Sequence, residues 1–102
     1  MIEGLKLDFT SVQLNEHLSA KRSYHAGRAV FYAEQATKLE AGGAEGMQYT
    51  GGDPVRALRE KGNEHTRKAA LFSLYVAHVI PDDVYRLSES DLERLEMVSR
   101  FF

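Results

Sequence analysis

From Val55 to Val79 the chain sets an apolar or small residue at every third or fourth position without a break: Val55, Leu58, Gly62, His65, Ala69, Phe72, Val76 and Val79. That alternation is the stripe of a helix packed lengthwise against another. Asp53-Pro54 opens it as N-cap and first helical residue, and Pro81 closes it, so the spacing predicts a helix over about 54–80. Between Ala69 and Ile80 the helix turns apolar on nearly every side, through Ala70, Leu71, Leu74, Tyr75, Ala77 and Ile80. A helix apolar all round must be covered from more than one direction. One antiparallel neighbour cannot do that. The cover has to come from the C-terminal segment, from a second copy of the chain, or from both.

A second stripe precedes it: Leu14, Leu18, His25, Ala29, Tyr32, Ala36 and Leu39, with Lys21 or Arg22 filling the gap. Thr10 reads as its N-cap, with Gln13 at the capping-box position and Phe9 and Leu14 spaced as a hydrophobic staple. No proline interrupts the run to Glu40, which predicts a helix over about 11–40, roughly 45 Å long at 1.5 Å per residue. Residues 42–52 then hold five glycines in eleven positions. Gly42 suits the left-handed position past a helix end, and the rest reads as a flexible connection from which Met47 and Tyr49 can fold back. Gly-Gly-Ala-Glu-Gly lacks the G-x-x-x-x-G-K-[ST] pattern of a phosphate loop, and no strand precedes it.

At the C-terminal end Ser88 caps a short helix over about 89–100, with Asp91 at its third position and Leu87 and Leu92 as a staple. Leu92, Leu95, Val98 or Ser99, and Phe102 supply its apolar edge. Residues 5–9 (Leu5 to Phe9) and 84–87 (Val84 to Leu87) read as short extended segments, and their pairing as strands is left open. The fold class expected is all-α: a long antiparallel helical hairpin plus a short C-terminal helix, one helical domain over 1–102 that completes a four-helix bundle as a dimer.

Composition narrows the function. The 102 residues carry no cysteine, which excludes disulfides, thiolate catalysis and cysteine zinc sites. A net charge of -2 lacks the basic footprint of a nucleic-acid binder. Five basic residues face three acidic ones at 53–80, and three face six at 81–102, an imbalance that solvated helix faces explain. The basic side chains of Lys21, Arg22, Arg28, Arg56, Arg59, Lys61, Arg67 and Lys68 read the same way. No signal peptide is visible and no stretch approaches the roughly 20 apolar residues of a membrane span, so the expected location is the cytoplasm.

An antiparallel hairpin turning near Met47 pairs residues whose numbers sum to about 94. His25 then comes level with His65 and Ala69, and His17 with His78. Facing helices of a bundle are where metal pairs are built, and imidazole is the commonest metal ligand. The two-helix length invites comparison with ferritin-like half-bundles that dimerise around a di-iron site, whose sign is an inward Glu and a Glu-x-x-His. That motif is absent, because Gly62, Tyr75, Arg22 and Leu14 stand three before the four histidines. Glu34, Glu60 and Glu64 remain as oxygen donors. The plainer alternative is that His25 and His65 bond to a backbone carbonyl or a tyrosine. Gly62, His65 and Ala69 either admit a close helix or bulky partners such as Tyr24, Phe31 and Tyr32, or leave a ligand cavity; packing is the commoner use.

There is no G-x-S-x-G, and the paired carboxylates Asp82-Asp83 sit at a turn, so nothing in the sequence calls for an enzyme. The expected function is a non-enzymatic interaction or scaffold module that self-associates through 69–80 or meets another protein. Neither a cofactor nor a metal is implied. The alternative is a metal- or small-ligand-binding bundle using His25, His65 and Tyr32.

Overall fold

The computed structural model describes residues 6–42 and 53–97. In chain order they form β1 (Lys6–Thr10), α1 (Ser11–Ala41), α2 (Pro54–His78), β2 (Val84–Ser88) and α3 (Glu89–Arg94). The chain is thus mostly helical, and the open question about the extended segments is answered by a short two-stranded antiparallel sheet. The glycine-rich connection beyond Gly42, with Met47 and Tyr49, and the positions of Leu5, Val98, Ser99 and Phe102 lie outside the described residues. Two compact units divide the chain, and both long helices contribute to each.

The first unit comprises Met1–Arg22 and Leu71–Phe102. β1 pairs with β2 in the register Leu7 to Leu87 and Phe9 to Tyr85, which sets those four side chains on one face. On the opposite face Arg86 grips Asp8 with two hydrogen bonds, Nε to Oδ1 at 2.9 Å and Nη2 to Oδ2 at 3.4 Å. The Arg86 bond holds the Asp8 carboxyl below the usual carboxylate range. The sheet passes directly into α1 through the capping box expected at Thr10: Gln13 N–H donates to Thr10 Oγ1 at 3.1 Å, and Thr10 N–H donates to Gln13 Oε1 at 3.0 Å.

α2 stops at His78 rather than Ile80. The Val79 N–H has tightened to the Val76 carbonyl at 3.3 Å, and Pro81 disfavours helical backbone at the residue before it. Ile80, Pro81, Asp82 and Asp83 then turn the chain, with Asp82 at φ 62 in the third position and Asp83 N–H reaching the Ile80 carbonyl at 3.4 Å. Proline second and a positive φ third is the form of a type II turn. It is tied to the start of α1, since Asp82 N–H donates to Ser11 Oγ at 3.1 Å and Ser11 N–H to the Asp83 carbonyl at 3.0 Å.

α3 begins as its sequence promised. Ser88 N–H donates to Asp91 Oδ2 at 3.0 Å and Asp91 N–H to Ser88 Oγ at 3.3 Å; the bond from the Ser88 N–H, and a second from its hydroxyl to Oδ2 at 2.9 Å, hold the Asp91 carboxyl below its ordinary value. Its end is a correction: the helix stops at Arg94, not near residue 100. Glu96 takes φ 56, its N–H bonds the Glu93 carbonyl at 3.0 Å, and Met97 N–H bonds the Leu92 carbonyl at 2.8 Å. That pair of bonds is a Schellman motif, closed with glutamate where glycine is usual. Around it lies the unit's core: Leu14, Leu18, Phe72, Leu87, Leu92 and Leu95, with Phe9, Tyr75, Val76, Val79, Tyr85 and Met97 packed against them.

The second unit, Ser23–Ala70, holds the rest of α1 and the start of α2. Asp53 caps α2 as expected, Oδ1 accepting from Val55 N–H at 3.0 Å. The carboxy-terminal end of α1 is not left-handed at Gly42; its N–H simply continues to the Lys38 carbonyl at 3.0 Å. Ala36 and Val55 are buried with Leu39 and Leu58 against them, a thin core. Both predicted stripes are the ones turned inward, down to Lys21 rather than Arg22 in the gap of the first.

Gly62 is buried where α1 comes closest. A Cβ placed there would meet the Ala29 carbonyl and Tyr32 Cβ at 3.5 Å, ordinary contact distance. Alanine therefore fits, and Gly62→Ala is expected to stabilise the protein by about 1 kcal/mol through helix propensity. A larger side chain runs into the α1 backbone at Ala29 and Ala33 and the Cβ of Tyr32, so Gly62→Leu is expected to cost about 1–3 kcal/mol. Urea unfolding of the two variants checks both signs.

A candidate functional site: the paired histidines

The second unit brings together the three residues singled out from the sequence. His25, on α1, is 2% exposed, and its Nδ1 lies 2.7 Å from Nδ1 of His65 on α2. The rings are stacked, with centroids 5.0 Å apart and planes 30° from parallel. Tyr32 stacks on the other side of His65 at 5.6 Å and 13°. Tyr24 closes the group edge-on, 5.1 Å from His25 and 6.3 Å from His65. The expected register thus brings His25 to His65.

What the histidines bond to differs from expectation. Neither a backbone carbonyl nor a tyrosine hydroxyl takes the shared nitrogen; the two imidazoles bond each other. One Nδ1 must donate and the other accept, so the neutral pair holds opposite tautomers. His17 Nε2 donates to the Leu95 carbonyl at 2.8 Å, a partner that the register of the hairpin does not give. That carbonyl lies just past the end of α3, a short element whose position the spacing of α1 and α2 could not give.

Arg28 was read as part of a solvated basic face. Its guanidinium instead lies over Phe31 and Tyr32, 4.5 Å and 4.9 Å from the ring centroids, and donates from Nη2 to the Tyr32 hydroxyl at 3.0 Å. The i,i+4 spacing of Arg28 and Tyr32 was the available signal. Burial, then the neighbouring His25, Lys68 and Arg28, push the His65 pKa below its ordinary value, with Glu64 pulling weakly the other way. A neutral ring is favoured there.

The glutamates considered as oxygen donors do not join the pair. Glu60 accepts instead from Arg56 Nε at 3.1 Å, and among the described residues no group of three or more His, Cys, Asp or Glu converges as a metal site would need. Beside the histidines a pocket of about 150 Å³ is lined by Ala29, Ala33, Arg59, Gly62, Asn63 and Thr66. It is open to the surface and half polar in character, unlike the enclosed apolar clefts of 300–1,000 Å³ that take small ligands. Among the described residues no helix is long and apolar enough to cross a membrane. Comparison with known proteins finds no matching family model, no matching curated protein and no matching solved structure.

Proposed function

We propose that this chain is a non-enzymatic helical module that works by self-association, two copies packing the outer face of α2 to complete a four-helix core. The observation that carries the reading is the split of the most apolar stretch. Its inner side chains, Phe72, Val76 and Val79, belong to the first unit's core, with α3 supplying cover. Its outer ones stay bare: Leu71 is 42% exposed, Leu74 58% and Ile80 59%. Ala70 and Ala77, exposed four before and three after Leu74, make the same face small–large–small, a profile that lets a second helix come close.

A two-fold pairing suits such a face, because each copy then presents the same surface to the other. Leu71 and Leu74, each about half exposed, would gain roughly 1–1.5 kcal/mol apiece on full burial. Light scattering at micromolar concentration is expected to give at least twice the 11.5 kDa of one chain. A clean monomer under those conditions rejects the proposal.

A further inference from the structure

We infer that the pair of His25, which is buried, and His65, which is half-buried, is a proton-operated latch that holds the second unit closed when it carries no more than one extra proton and releases it when both rings are charged. The geometry sets the count. With Nδ1 to Nδ1 at 2.7 Å, one ring donates and the other accepts. A first added proton goes to Nε2 of the donating ring, the only one of the pair's nitrogens whose lone pair is neither protonated nor used in the shared bond. The bond survives that step and becomes charge-assisted, which shortens and strengthens it. A second proton can only go to the accepting Nδ1. Both nitrogens are then donors, the bond is lost, and two cations face each other across a site where His25 is 2% exposed.

The surroundings do little to absorb that second charge. Among the described residues, the charged or titratable groups that meet the pair's rings or act on His65 include Tyr24, Arg28 and Tyr32 on α1, and Glu64 and Lys68 on α2. Two of the five are cations, and Glu64 is the one carboxylate. The tyrosine rings stack or meet edge-on and bring no negative charge in this range of pH. The rest of the unit cannot compensate either, since its buried apolar residues are Ala36 and Val55. The stacked His25, His65 and Tyr32 rings are one of the contacts between its two helix segments. The first unit has, among the described residues, a core of six buried apolar side chains.

The sign follows from linkage. The closed unit binds fewer protons than the opened one, so falling pH favours opening, beginning below the ordinary histidine value of about 6.5. Each additional proton bound on opening raises the opening constant about tenfold per pH unit. The carboxylates held down by Arg86 and Ser88 titrate lower and belong to the first unit, so the two acid responses separate in pH and in place.

The test is a pH titration of the full chain by nitrogen-15 NMR of its imidazoles, with backbone amide exchange corrected for intrinsic rates. Near pH 7.5 the expected result is one ring protonated at Nδ1 and its partner at Nε2. On acidification the pair should titrate in two steps more than about one pH unit apart. Amides at 23–41 and 54–70 should lose protection with the second step, while those at 11–22 and 84–92 keep theirs. His65→Phe preserves a ring against Tyr32 but carries no proton, and is expected to abolish the histidine-range loss. Two rings titrating independently in single ordinary steps overturn the inference, as does a wild-type pH dependence retained in His65→Phe. If that variant does not fold, the tautomers and the step separation in the wild-type chain decide the matter alone.

Discussion

Replacing Phe72 by alanine is expected to destabilise the protein by about 3–5 kcal/mol, the usual range for deleting a buried phenylalanine. Phe72 is 1% exposed and sits where Leu14 and Leu18 of α1, Leu87 of β2, and Leu92 and Leu95 at α3 meet. Its ring also lies edge-on to Tyr75, with centroids 5.8 Å apart and planes at 83°. Every element of the first unit but β1 contributes a buried side chain to this cluster, so no single side chain can move in to fill the space. Domains of this size are stable by only about 5–15 kcal/mol, which makes the loss a large share of the total. A fall in melting temperature of more than about 10 °C, followed by circular dichroism, is the expected reading. A loss below about 1 kcal/mol would mean that the cluster is not the centre of the fold.

The caps were legible in the sequence because each is closed by bonds within three residues: Thr10 with Gln13, Asp53 with Val55, Ser88 with Asp91. Periodicity, too, needs only the helix itself, and it identified the inward face of both long helices. Long-range detail was legible where two long elements fixed it, as with His25 against His65. It was lost where a short element intervened. His17 bonds the Leu95 carbonyl just past α3, and the helix expected to reach residue 100 stops at Arg94, before the left-handed Glu96, which carries none of the glycine signal by which such ends are read. The 5–9 and 84–87 segments were recognised as extended, but two five-residue strands are too short for pattern alone to declare them paired. Arg28 departs from the solvated face expected of a charged residue, because a long guanidinium stem can lie flat on aromatic rings.

Two glutamate substitutions, two residues apart on α2, are expected to part company. Phe72→Glu drives a carboxylate into the first unit's core, among Leu14, Leu18, Leu87, Leu92 and Leu95, and should unfold the chain. Leu74→Glu should not. At 58% exposure its carboxylate stays hydrated in the single chain, and the core beneath keeps Phe72, Val76 and Val79. If two copies meet through this face, however, each brings its own glutamate to the same two-fold contact, so desolvation and repulsion act together. A combined cost above about 4 kcal/mol would weaken the dimer roughly a thousandfold, since each 1.4 kcal/mol is tenfold. The expected outcome for Leu74→Glu is a helical, cooperatively melting protein whose mass in solution falls to 11.5 kDa. Sedimentation and circular dichroism on the same sample read both properties. An unchanged oligomer with intact helicity would move the interface off the outer face of α2. Unfolding of Leu74→Glu together with the wild-type oligomer would instead show that the single chain cannot stand without its partner, because a side chain already exposed has no intrachain packing to lose.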